Sequence, residues 1–400
     1  MSENMIVTIV KALIKGKLHV GNLTGFERFF LSQITLPDRV PTLLAATNVE
    51  PYLIDSKFDY VVLTENPEAN LELYTILKER YAFDVMITPV WTGLLLTGAS
   101  ELGVKFRIDR TRVPYAYEHV INSIEDIDTI ALPSEPTGYF KVYLDTIRAA
   151  QQRLSGTMIT YINDGPWDLA MLLRGDKDLP RDFRLYKDYT ETQNPLRREK
   201  IKTHGDPHLW TAIMELTTRI TILNFNLARQ YGINMFGAMM VDQFATRPVL
   251  GVDDFLTYVL PYIQRVWEAL DKKVEIGYMV QSPQELEVLS HHPVLGKSLG
   301  LAGYTNYIFP QNKDGLTLPE YDQPMFELAK RNKKNYNYLI HGKYLRDATD
   351  EELENAVKRI CQMATSMRAG LIVAVGSVPP GTDLNKIDVL LNSVEMYGKY

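Results

Sequence analysis

The sequence predicts an α/β protein whose main domain is a (β/α)8 TIM barrel, preceded by an N-terminal helical extension. Eight short apolar runs recur along the chain, and most of them are followed by a stretch with helical periodicity. The 400 residues suit one barrel with insertions, since this fold takes about 250 residues. No apolar run is followed by the glycine pattern of a dinucleotide site or a P-loop. We therefore expect a closed barrel in place of an open doubly wound sheet.

The repeating unit of strand, loop and helix is clearest at residues 234–270. The apolar run NMFGAMMV is followed at once by Asp242, then by a loop, and then by an amphipathic stretch that starts near Phe255. Asp253 or Asp254 is expected to cap this helix. A polar residue directly after a buried strand is typical of α/β enzymes, which place their chemistry at the carboxyl ends of parallel strands.

The other elements follow from periodicity and from helix-start signals. Residues 1–40 are predicted as the helical extension, either a lid or an oligomer contact, and residues 41–400 as the barrel. Residues 175–207 are polar and interrupted by proline, which predicts a long excursion over the barrel mouth. The remaining strands are predicted at residues 41–48, from Phe83, at 157–162, at 272–280, from Asn306, from Tyr336 and from Gly370. Helices are predicted at 67–81, 143–154 and 207–231, at Pro166, and after a capping box formed by Thr349 and Glu352.

Composition excludes several classes of function. Hydrophobic residues make up 46% and charged residues 23% of the chain, as in ordinary globular proteins. A net charge of -6 argues against nucleic acid as a partner, because phosphate binding needs concentrated Lys and Arg. The single cysteine, Cys361, excludes an intrachain disulfide and is expected to be an inert core thiol. No run approaches the ~20 apolar residues of a membrane span, and no signal peptide is evident, so a cytoplasmic protein with no membrane partner is expected.

Four segments resemble the uroporphyrinogen decarboxylase superfamily, which includes corrinoid-dependent methyltransferases. NDGPWDLAMLLRG, from Asn163, is similar to the Gly-Pro-aromatic helix start of that superfamily. The segment from Gly232 to Leu270 is similar to its strand, Asp and helix. YNYLIHGKYLRDATDEELENAVKR and GLIVAVGSVPPGTDLNKI resemble its last two βα units. The resemblance implies a (β/α)8 barrel, often dimeric, so a homodimer is one expected assembly.

Two departures from the superfamily pattern narrow the implied function. Decarboxylases of this kind hold the substrate carboxylates with an arginine-rich strand end, but the matching stretch here, LLAATNVEPY, has no arginine. The zinc methyltransferases use His-x-Cys and a later Cys, where this chain has Gly277, Met279 and Gly376. We therefore expect neither porphyrin decarboxylation nor a thiolate zinc site, and we assign no metal ligand.

The demethylating branch of the superfamily then remains. Its members take a methyl group from a methoxy or amine donor and transfer it to cobalamin, or another corrinoid, carried by a partner protein. The leaving oxygen or nitrogen needs a proton, so the resemblance implies an acid at the barrel mouth, an aromatic pocket and a docking face for the corrinoid protein. Two other functions stay open: a cofactor-free decarboxylase or lyase acting on a smaller acid, and a non-catalytic binding role.

Asp242 and His341 are the predicted catalytic residues. Burial behind an apolar strand should raise the pKa of Asp242 and keep its proton near neutral pH. The alternative is that Asp242 caps a loop or pairs with Arg247. His341 follows the seventh strand and is suited to donate a proton, or else it is a hydrogen-bonded structural residue. Residues near other predicted strand ends are candidates for substrate binding: Asn48, Asp84, Trp91, Tyr161, Asn163, Asp164, Trp167 and Tyr278.

These substrate-binding candidates have simpler explanations as well. Asn163 and Asp164 precede a Gly-Pro turn, where a turn or cap role is equally reasonable. The chain contains 23 Tyr, so most of them must be packing residues.

Overall fold

The structure is a computed structural model. It describes residues 28–29, 32, 36–45, 50–81, 83–87, 98–154, 159–235, 237–242, 244–245, 249–278, 282–298, 304–305, 317 and 319–400. Within these residues, no helix has both the length and the apolar character needed to cross a membrane.

Strands and helices alternate along most of the described chain. The strands are β1 (Thr42–Ala45), β2 (Val85–Ile87), β3 (Lys105–Asp109), β4 (Arg112–Glu118), β5 (Ile162–Asp164), β6 (Met239–Asp242), β7 (Glu275–Tyr278), β8 (Tyr304–Thr305), β9 (Tyr336–Ile340) and β10 (Leu371–Val375). The helices are α1 (Pro51–Ile54), α2 (Tyr60–Glu65), α3 (Pro67–Arg80), α4 (Ile124–Thr129), α5 (Gly138–Arg153), α6 (Pro166–Arg174), α7 (Asp178–Glu191), α8 (Pro195–Lys202), α9 (Leu209–Gln230), α10 (Val252–Asp254), α11 (Leu260–Ala269), α12 (Pro283–Ser290), α13 (Leu295–Ser298), α14 (Asp322–Arg331), α15 (Gly342–Asp347), α16 (Asp350–Met367) and α17 (Asn385–Tyr397).

Two parallel sheets carry the strands that alternate with helices. A five-stranded sheet has the order β2-β1-β10-β9-β8, and a three-stranded sheet has the order β5-β6-β7. Neighbours in space are therefore neighbours in a circular order of the chain, as in a barrel. In the described part of the chain, β2 does not pair with β5 and β7 does not pair with β8. The predicted α/β fold with parallel strands is confirmed. The described residues form these two parallel sheets and a two-stranded antiparallel sheet of β3 and β4, and not one closed cylinder.

The strands of the five-stranded sheet are apolar because both of their faces are covered. All five residues of β10 and all five of β9 are buried. Helix α16 begins with the predicted capping box, in which the Thr349 Oγ1 accepts from the Glu352 amide at 3.2 Å. Cys361 of this helix is fully buried in the core, as the sequence predicts.

Three predicted elements differ from the structure. Residues 175–207 form α7 and α8 in place of an irregular excursion, because Asn194 caps α8 and Pro195 occupies its first turn. The helix after β6 is capped by Gly251, and Asp253 and Asp254 lie in its first turn. Between α10 and α11 the chain makes a π-helical turn, Phe255–Val259, in which the Leu260 amide donates to the Phe255 carbonyl. Pro261 follows this turn and has no amide hydrogen to continue a regular ladder.

The third strand shifts toward the carboxyl side of its predicted position. It covers Ile162–Asp164, where residues 157–162 were expected. Two polar residues at the end of a strand look like a loop in a hydrophobicity pattern. In the structure, Asn163 and Asp164 instead continue β5 and lie opposite Met240 and Val241 of β6. This shift moves Asp164 from a turn into the carboxyl end of β5.

Charged side chains hold the opposite, amino end of the five-stranded sheet. Asp84 precedes β2 and pairs with Arg28 at 2.5 Å and with Arg39 at 2.8 Å. Its carboxylate also accepts the Thr42 amide at 2.8 Å, which ties the start of β1 to the start of β2. Asp84 is 4% exposed, so this cluster is a buried structural clamp.

Candidate active site

The two faces of the three-stranded sheet are distinguished by alternation along β5 and β6. Tyr161 and Asn163 face the helices, since the Tyr161 ring lies 5.2 Å from the Phe225 ring of α9 and its hydroxyl bonds the Asn163 amide oxygen. Asp164 points to the opposite, interior face together with its register partner Val241. A Cβ at Gly277 would contact the Val241 side chain at 3.4 Å, which places β7 on the same interior face. Asp164 therefore lies at the carboxyl end of the sheet and faces its interior.

Asp242 ends β6 on the helix-facing side and holds the amino end of α6. Its Oδ1 accepts the backbone N–H of Asp168 at 2.9 Å, and the backbone N–H of Trp167 also donates to this carboxylate. The carboxyl group lies directly against Gly165, where any Cβ would overlap it. Asp242 therefore has a capping role, as the alternative interpretation proposed, but it caps the start of α6 and not the loop that follows its own strand.

A third acid completes the connection between α6 and the loop after β6. The Asp168 carboxylate accepts the backbone N–H of Phe244 at 3.0 Å, while the Asp168 backbone donates to Asp242. Through these two hydrogen bonds, Asp168 connects the start of α6 to the end of β6 and to the segment that follows it. The Phe244 side chain is 49% exposed, so the loop presents an aromatic ring at this end of the sheet.

Burial controls the electrostatics of Asp164 and Asp242, which are 6% and 1% exposed. Burial raises the pKa of Asp242 to about 7, and the N–H bonds from α6 oppose this rise. Burial, and then the charge of Asp242, raises the pKa of Asp164 well above its usual range. No described cation acts on either carboxyl group, and the Asp242 Oδ2 has no partner among the described residues. The two groups are therefore an acid pair able to hold a proton at neutral pH.

Neighbouring side chains crowd two of the three positions at which zinc methyltransferases carry ligands, and the third, Met279, lies outside the described residues. A Cβ at Gly376 would overlap the Leu339 side chain, and one at Gly277 would approach the Met239 sulfur at 3.1 Å. In the part of the chain that the structure describes, no group of three or more His, Cys, Asp or Glu residues is arranged to hold a metal ion. The absence of zinc stays a prediction.

Several predicted substrate residues have other roles in the structure. The predicted substrate contact of Asp84 does not agree with the structure. Asp84 lies at the amino end of the sheet, and its carboxylate forms ion pairs with two arginines. Tyr161 and Asn163 also do not line the interior face, since their side chains bond each other on the helix side. Trp167 is fully buried against Phe183 of α7, at 5.9 Å between ring centroids, so its ring is part of the helix packing.

The remaining predicted site residues lie elsewhere or outside the described residues. His341 directly follows β9 at the carboxyl end of the five-stranded sheet, is half-buried, and precedes α15. Its catalytic role stays a prediction. Tyr278 ends β7, and only its backbone is described. Asn48 and Trp91 lie outside the described residues.

Two residues of this site are not predicted from the sequence: Asp168 and Phe244. A signal for Asp168 exists in the spacing of DGPWD, in which the second Asp falls in the first turn of a helix started by Pro166. That position favours an acid for capping reasons alone, so the pattern does not reveal the bond to the Phe244 amide. Phe244 carries no sequence signal, because exposure of an aromatic side chain is set by the loop conformation.

Comparisons with known proteins agree with this architecture. The family model for uroporphyrinogen decarboxylase (URO-D) matches residues 35–397. Among 23 matching chains of solved structures is a methyltransferase from Methanosarcina mazei, with a TM-score of 0.66 and 14% sequence identity. That match covers 94% of this chain and 99% of the other. No curated protein matches the chain in sequence.

Proposed function

Because the chain belongs to the uroporphyrinogen decarboxylase family, we propose that it is a methyltransferase that moves a methyl group from a methoxylated, aromatic donor to the cobalt of a partner corrinoid protein. The fold shared with a methyltransferase supports this choice within the family. In this proposal the two parallel sheets close into one (β/α)8 barrel, and the donor binds at the carboxyl ends of the strands.

The buried acid pair carries the proposal. An ether oxygen is a poor leaving group unless it receives a proton, and Asp164 and Asp242 form a desolvated pair with raised pKa values at the carboxyl end of the sheet. A substrate with many carboxylates fits this pair poorly, because ionisation of the pair would repel it and no described cation lies beside it.

The proposed reaction divides the work between this chain and its partner. The reduced corrinoid supplies the electron pair for the new bond to the methyl carbon. The carbon–oxygen bond of the donor breaks, its electron pair stays on the oxygen, and a proton from the acid pair moves to that oxygen. The donor leaves as a phenol, and the acid pair is left with one proton fewer until solvent restores it. Phe244 offers the partner an exposed aromatic contact beside this site.

A reconstituted transfer assay tests the proposal. The purified protein, a reduced corrinoid protein and a panel of methoxyarenes should together give methylated corrinoid, followed by its absorbance. Asp164→Asn and Asp242→Asn should each lower the rate by roughly 100-fold or more, since a positioned general acid contributes about that factor. Absence of methyl transfer with every donor would contradict the proposal.

The family name supports one other candidate, a cofactor-free decarboxylase or lyase acting on a smaller acid. It predicts release of product from a carboxylic acid substrate without any corrinoid. The same preparation, supplied with small carboxylic acids alone, separates the two functions.

A further inference from the structure

The two acids of the site occupy different environments, and this difference determines which of them holds the proton. We infer that, just above neutral pH, the proton of the pair resides on Asp164, which faces the interior, and that Asp242 carries the negative charge at the amino end of α6. Under the proposed function, on which this inference rests, Asp164 is then the catalytic acid and Asp242 is a positioning residue.

The hydrogen bonds of Asp242 favour its ionised form. Two backbone N–H groups at the start of α6 donate to this carboxylate, one of them at 2.9 Å. Donors at a helix amino terminus stabilise a carboxylate, and the dipole of the nine-residue helix adds to this effect. A protonated Asp242 would lose part of both interactions.

Asp164 has the opposite environment. Its carboxyl group accepts no hydrogen bond from a described residue, whereas its backbone carbonyl accepts from the Asn163 side-chain amide at 2.9 Å and from the Thr221 hydroxyl at 3.3 Å. Its side chain is buried with the interior face of the sheet. The charge of Asp242 acts on Asp164, and two interacting buried carboxyl groups do not both ionise readily, so the carboxyl group without donors keeps the proton. The raised pKa of Asp164, caused by burial and then by the charge of Asp242, agrees with this assignment.

Other charged groups near the pair do not change which of the two acids holds the proton. Asp168 on α6 turns its carboxylate to the Phe244 amide. Arg174, at the far end of α6, is paired with Asp182 at 2.7 Å. Among the described groups on β5, β6 and α6, none supplies a positive charge that would favour ionisation of Asp164 over Asp242.

This assignment also indicates the class of methyl donor. A neutral carboxylic acid donates a hydrogen bond to an uncharged acceptor such as an ether oxygen. A quaternary ammonium donor has no lone pair to accept that bond, and an ionised carboxylate would suit it better. The chain therefore fits a methyl ether better than a methylated ammonium.

Infrared difference spectroscopy tests the location of the proton without any need for activity. Spectra of the full-length wild-type protein, Asp164→Asn and Asp242→Asn are compared at a pH of about 8, above the value to which burial raises the pKa of Asp242. Subtracting Asp164→Asn from wild type should reveal one lost protonated-carboxyl band. Subtracting Asp242→Asn should reveal one lost carboxylate band and no lost protonated-carboxyl band.

The reverse pattern, or retention of all protonated-carboxyl bands in Asp164→Asn, would overturn the inference. If Asp242→Asn fails to fold, the Asp164→Asn comparison decides the question alone. Because the spectra do not depend on methyl transfer, a protein that fails the transfer assay but shows the expected bands would contradict the proposed function and leave the proton assignment standing.

Discussion

At the scale of single residues, the acid pair depends on the absence of a side chain at Gly165. The Asp242 carboxyl group occupies the space that a Cβ at this position would fill. The backbone of Gly165 also donates to the Val241 carbonyl at 2.7 Å, so neither residue is free to move away. Packing against Asp242, and not an unusual backbone conformation, is therefore the reason that position 165 requires glycine.

Gly165→Ala should lower the unfolding free energy by about 1–3 kcal/mol, as overpacking of a buried site does. It should also displace Asp242 from α6 and reduce methyl transfer. Chemical denaturation measures the first effect. Gly251→Ala is the matched control, because no atom of the described residues lies within 4 Å of a Cβ at that glycine. Equal stability of the two variants would contradict the packing argument.

The stability of the protein should depend on pH through Asp242. The pKa of an unfolded aspartate is about 3.9, and burial raises the pKa of Asp242 to about 7 in the folded protein. Between these values the folded state binds more protons than the unfolded state, so the unfolding free energy contributed by Asp242 falls as pH rises and is fully lost above about pH 7.

Asp242→Asn removes this dependence. From about pH 4 to about pH 8, the unfolding free energy of the variant should rise relative to wild type by roughly 4 kcal/mol. Denaturation curves across this range measure the difference, with Asp253→Asn as a control for the removal of an exposed carboxylate from the neighbouring helix. If the unfolding free energies of wild type and Asp242→Asn change in parallel with pH, Asp242 has the same pKa in the folded and unfolded protein, and the prediction is wrong.

At the scale of elements, the start of α6 and the loop after β6 form one unit. The Asp168 backbone donates to the Asp242 carboxylate, and the Asp168 carboxylate accepts the Phe244 amide. The Phe244 side chain in this unit is about half exposed. Under the proposed function, this ring beside the candidate active site is a contact for the corrinoid protein, since aromatic residues are enriched among interface anchors.

Phe244→Ala should raise the KM for the corrinoid protein by roughly tenfold, the loss expected for an aromatic anchor, with little change in kcat or stability. Steady-state methyl transfer at varied corrinoid protein measures this. Leu196→Ala is the control, since that side chain is 82% exposed on α8, and it should have no effect. A fall in kcat alone would place Phe244 in the chemistry and not in docking.

Sequence patterns located most elements because apolar periodicity reflects burial. The runs at β9 and β10 were evident since both of their faces are covered. The end of β5 was misplaced because Asn163 and Asp164 are polar, and site residues at strand ends are polar for functional reasons. The pairing of Asp242 with α6 joins residues 74 positions apart, which no local pattern encodes.

At the scale of the whole molecule, the buried clamp at Asp84 and the acid pair lie at opposite ends of the parallel strands. One contributes stability and the other is proposed to contribute chemistry, a division that is usual for α/β barrels. The order of the residues already separates these roles, because Asp84 precedes the apolar run of its strand and Asp242 follows the apolar run of its own. The predicted substrate contact of Asp84 did not take this order into account.

Asp84→Ala should therefore lower the unfolding free energy by about 3 kcal/mol, the lower end of the cost of breaking a buried ion pair. The cost stays at that end because Arg28 keeps its pair with Asp38 and the half-buried Arg39 keeps its pair with Glu395. The kcat of the folded fraction should be unchanged. Glu72→Ala, which removes an exposed ion pair with Lys57, is the control and should change stability little. Loss of kcat with unchanged stability would return Asp84 to the list of site residues.

The residues of the candidate site that belong to the three-stranded sheet and α6 lie close together along the chain. Asp164, Gly165, Asp168 and Asp242 all come from one continuous stretch of chain, the segment that runs from β5 to β7. A chimaera that receives this stretch within a related scaffold should acquire the acids and their helix cap together. The proposed proton donor and the group that positions it are therefore encoded together, within one segment of the chain.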